Sequence, residues 1–114
     1  SSLLKSLNEL RENGEFCDVT LVVGGKEFPA HKAVLAACSP YFKALFSGNF
    51  KESDSSEITL DDVSPEDFEA LLEFIYTGEL IITEENVEEL LELADKLQIP
   101  SLVDKCEEFL IKNL

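Results

Sequence analysis

The spacing of hydrophobic residues near the start of the chain indicates a helix. Across residues 2–14, leucines recur every three or four positions and share one face, which is typical of an amphipathic helix: Leu3, Leu4, Leu7 and Leu10. A helix of about a dozen residues is marginal in water by itself. We therefore expect this leucine face to pack against another surface, either in its own domain or in a second copy of the chain.

After this helix the period of the pattern shortens to two. Apolar residues occupy every second position of 19–23, which is the pattern of a half-buried strand. Gly24 and Gly25 follow, and glycine can adopt the positive φ angles that a two-residue hairpin turn requires. The sequence predicts a β-hairpin whose second strand ends at Pro29, because proline lacks the N–H that a strand ladder uses.

The rest of the chain predicts helices separated by short strands. A capping serine followed by proline indicates helix starts at Ser39-Pro40 and Ser64-Pro65. Further helices are predicted to begin near His31, Thr83 and Ser101, and strands are predicted over 58–60 and 80–82. Helices and strands in this irregular order predict an α+β domain.

Composition limits the classes of function. The 114 residues include 24 acidic and nine basic side chains, for a formal charge of −15. This charge repels phosphate, so we expect neither nucleic acid nor an anionic membrane as a partner. Apolar runs fall far short of the ~20 residues that span a bilayer, and residues 1–15 lack the pattern of a signal peptide. We expect one domain over 1–114, in an intracellular protein of the cytoplasm or nucleus.

Catalytic and metal-binding chemistry finds little support in the sequence. Cys17, Cys38 and Cys106 are widely spaced and form no CxxC motif, so we interpret them as reduced structural thiols. His31 is the single histidine, and no nucleophile, phosphate-loop or zinc motif accompanies it. We therefore predict no catalytic residue, no cofactor and no metal. A hydrolase centred on His31, with Ser39 or a cysteine as nucleophile, is the alternative from another class.

Four segments of the sequence resemble the BTB (POZ) domain. They are FCDVTLVV at 16–23, FPAHKAVLAACSPYF at 28–42, FIYTG at 74–78 and LADKLQIP at 93–100. The resemblance covers essentially the whole chain and is closest to the BTB domains of kelch-like proteins. It implies the BTB/POZ fold, a cluster of helices flanked by a short, mainly antiparallel sheet. It also implies a protein-interaction module without enzymatic activity.

The resemblance further implies which residues bind partners. In the family the first helix, here within residues 1–14 ahead of a core over 15–114, packs against its counterpart in a second chain. The implied dimer interface consists of Leu3, Leu4, Leu7 and Leu10 together with Asp18 and Lys32, which match a charged pair near the dimer cleft. Kelch-like adaptors contact cullin-3 through a hydrophobic residue, any residue and Glu, and Phe50 and Glu52 match this motif. The implied function is a homodimeric adaptor that recruits the cullin-3 ubiquitin-ligase scaffold.

Two alternatives within the same family stay open. BTB domains of transcription factors also dimerise, and they bind a corepressor peptide in the dimer groove. Many of them exchange a strand that precedes the first helix, and because Ser1 and Ser2 leave no room for it, we expect no exchanged strand here. The other alternative is a designed consensus BTB scaffold with self-association only, because the sequence reads like an average of the family.

Overall fold

The computed structural model describes residues 2–48 and 56–114 of the chain. Within these residues the chain forms six helices and three strands, in the order α1 (Ser2–Glu12), β1 (Val19–Val23), β2 (Lys26–Ala30), α2 (Lys32–Cys38), α3 (Pro40–Phe46), β3 (Glu57–Leu60), α4 (Pro65–Thr77), α5 (Val87–Lys96) and α6 (Pro100–Lys112). The predicted α+β class is confirmed.

The sheet is built around β1, which lies between β2 and β3. β1 and β2 form the predicted antiparallel hairpin, and at its turn Gly24 and Gly25 have φ angles of 57° and 83°. β3 pairs with β1 in the parallel direction, with Ile58 opposite Leu21. The described sheet is therefore mixed. The helices α2 and α3 lie between β2 and β3 in the chain and allow β3 to enter the sheet parallel to β1.

Helix α4 lies at the centre of the core, in contact with α1, α2 and α5. It begins after Ser64, whose Oγ accepts a hydrogen bond from the backbone N–H of Asp67, and it ends at Gly78 in the left-handed conformation. The start agrees with the predicted serine cap, and the end agrees with the Thr77-Gly78 pair in the sequence, where glycine is expected to stop a helix. Helical spacing predicts a buried stripe of Phe68, Leu71, Leu72 and Ile75, and of these Ile75 is only half-buried. The buried residues of α4 are Phe68, Leu71, Leu72, Phe74 and Tyr76.

The connection between α4 and α5 differs from its prediction. Residues 80–82 belong to no strand of the described sheet, and Ile81 is exposed. Helix α5 begins at Val87 rather than directly after Thr83. A turn precedes it, in which Thr83 Oγ1 accepts from the Asn86 N–H and Asn86 Oδ1 accepts from the Thr83 N–H. These reciprocal bonds have the pattern of a capping box, and with the bond of 3.0 Å from the Val87 N–H to the Thr83 carbonyl oxygen they form a single turn that leads into α5.

Three smaller predictions were also wrong. Pro29 lies within β2 rather than ending it, because β2 is an edge strand and needs ladder partners on one side only. Helix α6 starts with Pro100 after Ile99, so Ser101 lies inside the helix and does not cap it. Helical spacing in the last helix predicts a core stripe of Leu102, Val103, Cys106, Phe109 and Leu110, but Leu110 is 38% exposed.

Candidate interaction surface

Helix α1 lies on the outside of the domain and leaves part of its leucine face uncovered. None of its residues is buried, and Leu3 is 71% exposed. Leu7 packs against the edge of the core, and Leu4 and Leu10 are half-buried. A single copy of the domain therefore shelters only part of the four leucines that the sequence singled out.

Phe16 is an exposed aromatic residue that the sequence analysis did not select. It follows α1 after a short turn, is 85% exposed and has a φ angle of 59°. A non-glycine residue in this left-handed region costs about 1–3 kcal/mol, and such strain concentrates at functional positions. Strand alternation could not have selected this residue, because Phe16 lies in the turn before β1 and not in the strand itself.

Asp18 and Lys32 lie side by side at the start of α2. Oδ1 of Asp18 accepts a hydrogen bond of 2.7 Å from the backbone N–H of Lys32, the first residue of that helix. The bond satisfies one of the N–H groups that have no partner within a helix. The Lys32 ammonium lies 5.5 Å from the centroid of the Phe46 ring. The structure thus brings together the two charged residues of the predicted interface, and the carboxylate contacts the main chain.

His31 uses its imidazole for packing inside the domain. It is 8% exposed, and its Nδ1 lies 2.7 Å from the hydroxyl oxygen of Tyr76, which also accepts a bond of 3.0 Å from the His31 backbone N–H. Nε2 lies 3.0 Å from the carbonyl oxygen of Glu15, so Nε2 carries the proton and Nδ1 accepts from the tyrosine hydroxyl. These contacts are those of a buried hydrogen-bonding residue, which is the more common role of a single histidine that enters a helix after an apolar strand.

Cys17 is the thiol nearest to His31, with 3.7 Å between its Sγ and Nε2 of the imidazole. Burial raises the pKa of the Cys17 thiol, and the carboxylate of Asp18 raises it further. A thiol of this kind stays protonated near neutral pH and is a poor nucleophile. Moreover, the Nε2 proton is engaged with the Glu15 carbonyl, so the imidazole is not oriented to act as a base toward this sulfur.

The other candidate nucleophiles contact the main chain instead of His31. The Cys38 thiol donates to the Leu35 carbonyl oxygen at 3.3 Å. The Ser39 hydroxyl donates to the Leu97 carbonyl oxygen at 2.7 Å, while its oxygen caps α3. These contacts are those of structural side chains, because each satisfies a local backbone group or fixes the end of a helix.

Cys17, Cys38 and Cys106 are all free thiols. In the part of the chain that the structure describes, no three His, Cys, Asp or Glu side chains converge as metal ligands would. None of the described helices combines the length and the apolar character needed to cross a membrane. The predicted cullin contacts, Phe50 and Glu52, lie outside the described residues.

The fold, with Leu3 exposed on α1 and Phe16 exposed in the turn after it, indicates a protein-binding domain, because exposed apolar side chains are typical of surfaces that contact other proteins. The family follows from comparison with known sequences. The model of the family described as BTB/POZ domain matches residues 7–114, and the chain belongs to this family. BTB domains are protein-interaction modules and not a catalytic family.

Individual relatives agree with this assignment. Kelch-like protein 21 of Homo sapiens is 46% identical over 114 residues, which cover 99% of this chain and 19% of that protein. Zinc finger and BTB domain-containing protein 7A of Gallus gallus is 44% identical over 114 residues, covering 100% of this chain and 21% of that protein. The chain thus spans about a fifth of the length of these curated relatives. The predicted resemblance to kelch-like BTB domains is confirmed.

The fold is also that of a solved BTB structure. The BTB domain of zebrafish PATZ1 superposes with a TM-score of 0.87 at 39% sequence identity, over 97% of this chain and 90% of that one. The predicted BTB/POZ fold is therefore confirmed.

Proposed function

We propose that the domain is a homodimeric protein-interaction adaptor whose two copies meet through α1. The observation that carries this proposal is that α1 has no buried residue although it presents four leucines, one of which, Leu3, is 71% exposed. A helix of this length needs packing on its apolar face. A second copy can provide this packing, because in a two-fold symmetric dimer the α1 face of each copy covers that of the other.

The free energy available from burying the exposed side chains decides which residues must take part in the dimer. Burying a leucine or phenylalanine contributes about 1.5–3 kcal/mol, so Leu3 and Phe16 from two copies contribute about 6–12 kcal/mol. Association costs about 4–15 kcal/mol in lost freedom of motion. The gain from burial and the cost of association are of similar size. The half-buried Leu4 and Leu10 must therefore add further buried area for a stable dimer. We place Asp18 and Lys32 at the rim of this interface.

Exchange of one exposed leucine tests the dimer. In wild-type protein at micromolar concentration and about 150 mM salt, where repulsion between two chains of charge −15 is screened, light scattering should give twice the mass of one chain. Leu3→Glu should weaken the dimer by at least about 100-fold, because it places two charges in an apolar interface.

Ile111→Glu is the matched control for this test. Ile111 is an apolar residue on α6 with 68% exposure, close to the 71% of Leu3, so the same chemical change is made far along the chain from α1. The dimer should survive this exchange. A monomeric wild type, or a dimer that Ile111→Glu weakens as much as Leu3→Glu does, would contradict the proposal.

We further propose that the adaptor recruits the cullin-3 scaffold through Phe50 and Glu52. Similarity to kelch-like proteins and the Phe50-Lys51-Glu52 motif support this role, and an aromatic anchor beside a charge is a common composition for a binding hot spot. Phe50→Ala and Glu52→Lys should each abolish capture by cullin-3 and leave the dimer mass unchanged. Capture that persists in both variants would exclude this site.

The alternative role, in a transcription repressor, is favoured by the similarity to the zinc finger protein of Gallus gallus. In that case the dimer should bind a corepressor peptide and not cullin-3. Titration of the wild-type dimer with each ligand separates the two roles, and a dimer that binds neither leaves self-association as the function. Both adaptor roles place the protein inside the cell, in the cytoplasm or the nucleus.

A further inference from the structure

Arg11 holds α1 on the body of the domain through contacts with two residues of α4. Arg11, in the last turn of α1, has only 12% of its side chain exposed. Its Nη2 lies 3.2 Å from Oε2 of Glu73 on α4, and its guanidinium carbon lies 4.9 Å from the centroid of the Tyr76 ring. Nε and Nη2 also donate to Oδ1 of Asn8 within α1, at 3.1 and 2.7 Å. Arg11 is therefore packed against α4, whereas Leu3 of the same helix remains exposed to solvent.

The ring under Arg11 is itself fixed in place. Tyr76 is 0% exposed, and its hydroxyl oxygen is held by the backbone N–H and the imidazole of His31. Nε2 of the same imidazole donates to the carbonyl oxygen of Glu15, in the turn that follows α1. The end of α1 and the turn that leads to Phe16 are thus both attached to one buried tyrosine–histidine pair.

The network also reaches the Asp18–Lys32 pair, which we place at the rim of the proposed interface. His31 is the residue before α2, and the next backbone N–H, of Lys32, bonds to the carboxylate of Asp18. A shift of the Tyr76 ring would therefore disturb contacts on both sides of the ring, those with Arg11 on α1 and those with His31 before α2.

We propose that Arg11 is the positioning residue of the dimer surface, a role that rests on the proposed homodimer. Its contacts with Tyr76 and Glu73 fix the orientation of α1 on the domain. Leu3, Leu4 and Leu10 are then held in the arrangement that a second copy contacts. The guanidinium suits this role because its planar fork bonds Asn8 and Glu73 while its face lies on the ring. A lysine ammonium cannot make the stacked and the forked contacts at once.

Two measurements on Arg11 variants test this role. Arg11→Ala should raise the dimer dissociation constant, measured by analytical ultracentrifugation, by about 10- to 100-fold, as expected for the loss of a charge-assisted contact and a cation–ring contact. Arg11→Lys should restore less than half of that loss on a logarithmic scale. In the monomeric Leu3→Glu background, adding Arg11→Ala should accelerate hydrogen exchange of the α1 amides about 10-fold and leave the amides of β1 unchanged, because exchange reports local opening.

Lys26→Ala is the matched control. Lys26 also pairs with a carboxylate of α4, Glu69 at 2.9 Å, and also lies over a ring, Phe28 at 5.2 Å, but 57% of its side chain is exposed and it lies on β2. Its exchange should change neither dimerisation nor α1 exchange by more than about 2-fold, as is typical of exposed ion pairs. If Arg11→Ala fails to fold, Glu73→Gln provides the same readouts, with effects of about 3- to 10-fold, because it removes one charged partner.

The outcomes separate the inference from the proposed function. A wild-type dimer whose dissociation constant is unchanged by Arg11→Ala and Glu73→Gln overturns the inference and leaves the homodimer standing. A variant that loses global stability while α1 exchange in the monomer is unchanged also overturns it, because Arg11 is then only structural. A monomeric wild type contradicts the homodimer, and with it the role of Arg11 in orienting a dimer surface, even if the α1 exchange depends on Arg11.

Discussion

The hydroxyl oxygen of Tyr76 lies 2.7 Å from Nδ1 of His31 and 3.0 Å from the His31 backbone nitrogen. Both residues are buried, and they are 45 positions apart in the chain. The single histidine of the protein thereby joins α4 to the start of α2 and, through Glu15, to the turn after α1. This pair links the core to the proposed binding surface.

Removal of the Tyr76 hydroxyl should destabilise the domain. In Tyr76→Phe the backbone N–H and Nδ1 of His31 lose their partner in a buried environment, which costs about 1–3 kcal/mol of the free energy of unfolding. Urea titration followed by circular dichroism measures the change. Tyr41→Phe removes the same atom from a half-buried tyrosine on α3 and should change the free energy of unfolding by less than about 0.5 kcal/mol. Equal effects of the two exchanges would contradict the role of the Tyr76 hydroxyl.

Alkaline pH should weaken the fold through Tyr76. Burial raises the pKa of Tyr76 to about 12, above the ordinary value of 10.0. The unfolded chain therefore releases this proton first, so the stabilising contribution is complete below pH 10 and is lost as the pH rises from about 10 to about 12. Absorbance titration at the tyrosinate band should show one late-titrating tyrosine. Tyr76→Phe should lack that late step, and its persistence in this variant would show that another group causes it.

The thiol of Cys38 should react slowly at neutral pH. Burial raises the pKa of this thiol to about 11 from the ordinary 9.0, so little thiolate is present in the folded protein. Alkylation by iodoacetamide, followed by mass spectrometry of the Cys38 peptide, should be at least about 10-fold slower at pH 8 in the folded protein than in urea, because only the thiolate reacts. Equal rates in the two conditions would mean that the thiol is neither buried nor perturbed.

The hairpin turn offers a pair of glycines that separates backbone strain from steric contact. A Cβ added at Gly24 would lie 2.8 Å from Cγ of Pro65, the first residue of α4, whereas one added at Gly25 meets no atom within 4 Å. Both glycines have positive φ, so either exchange to alanine should cost about 1 kcal/mol or more from backbone strain. Gly24→Ala should cost about 1–3 kcal/mol more, because it also overpacks the contact with α4.

Urea unfolding of the two glycine variants measures this difference in the free energy of unfolding. Gly25→Ala is the control, since it carries the strain without the contact. Equal losses in the two variants would show that the contact between the hairpin turn and Pro65 adjusts at no cost.

Local features of the fold could be predicted because a few neighbouring residues decide them. The caps at Ser39 and Ser64 and the two-glycine hairpin turn all depend on backbone groups within about four positions. The family motifs likewise lie in continuous segments and identified the BTB fold. The same local reasoning was wrong at 80–82, because a strand needs a partner and none lies beside this segment in the described part of the chain.

The sequence by itself determined the α+β class, the family and the leucine face of α1, since each is contained in the order of residues along one segment. Only the tertiary structure decided how that face is presented. Arg11 and Glu73 are 62 positions apart, and no spacing rule relates them. Their contact depends on how α1 and α4 pack, and so does the exposure of Leu3 and Phe16. Which side of an amphipathic helix stays open is a property of the elements packed around it, and these meet only when the whole chain has folded.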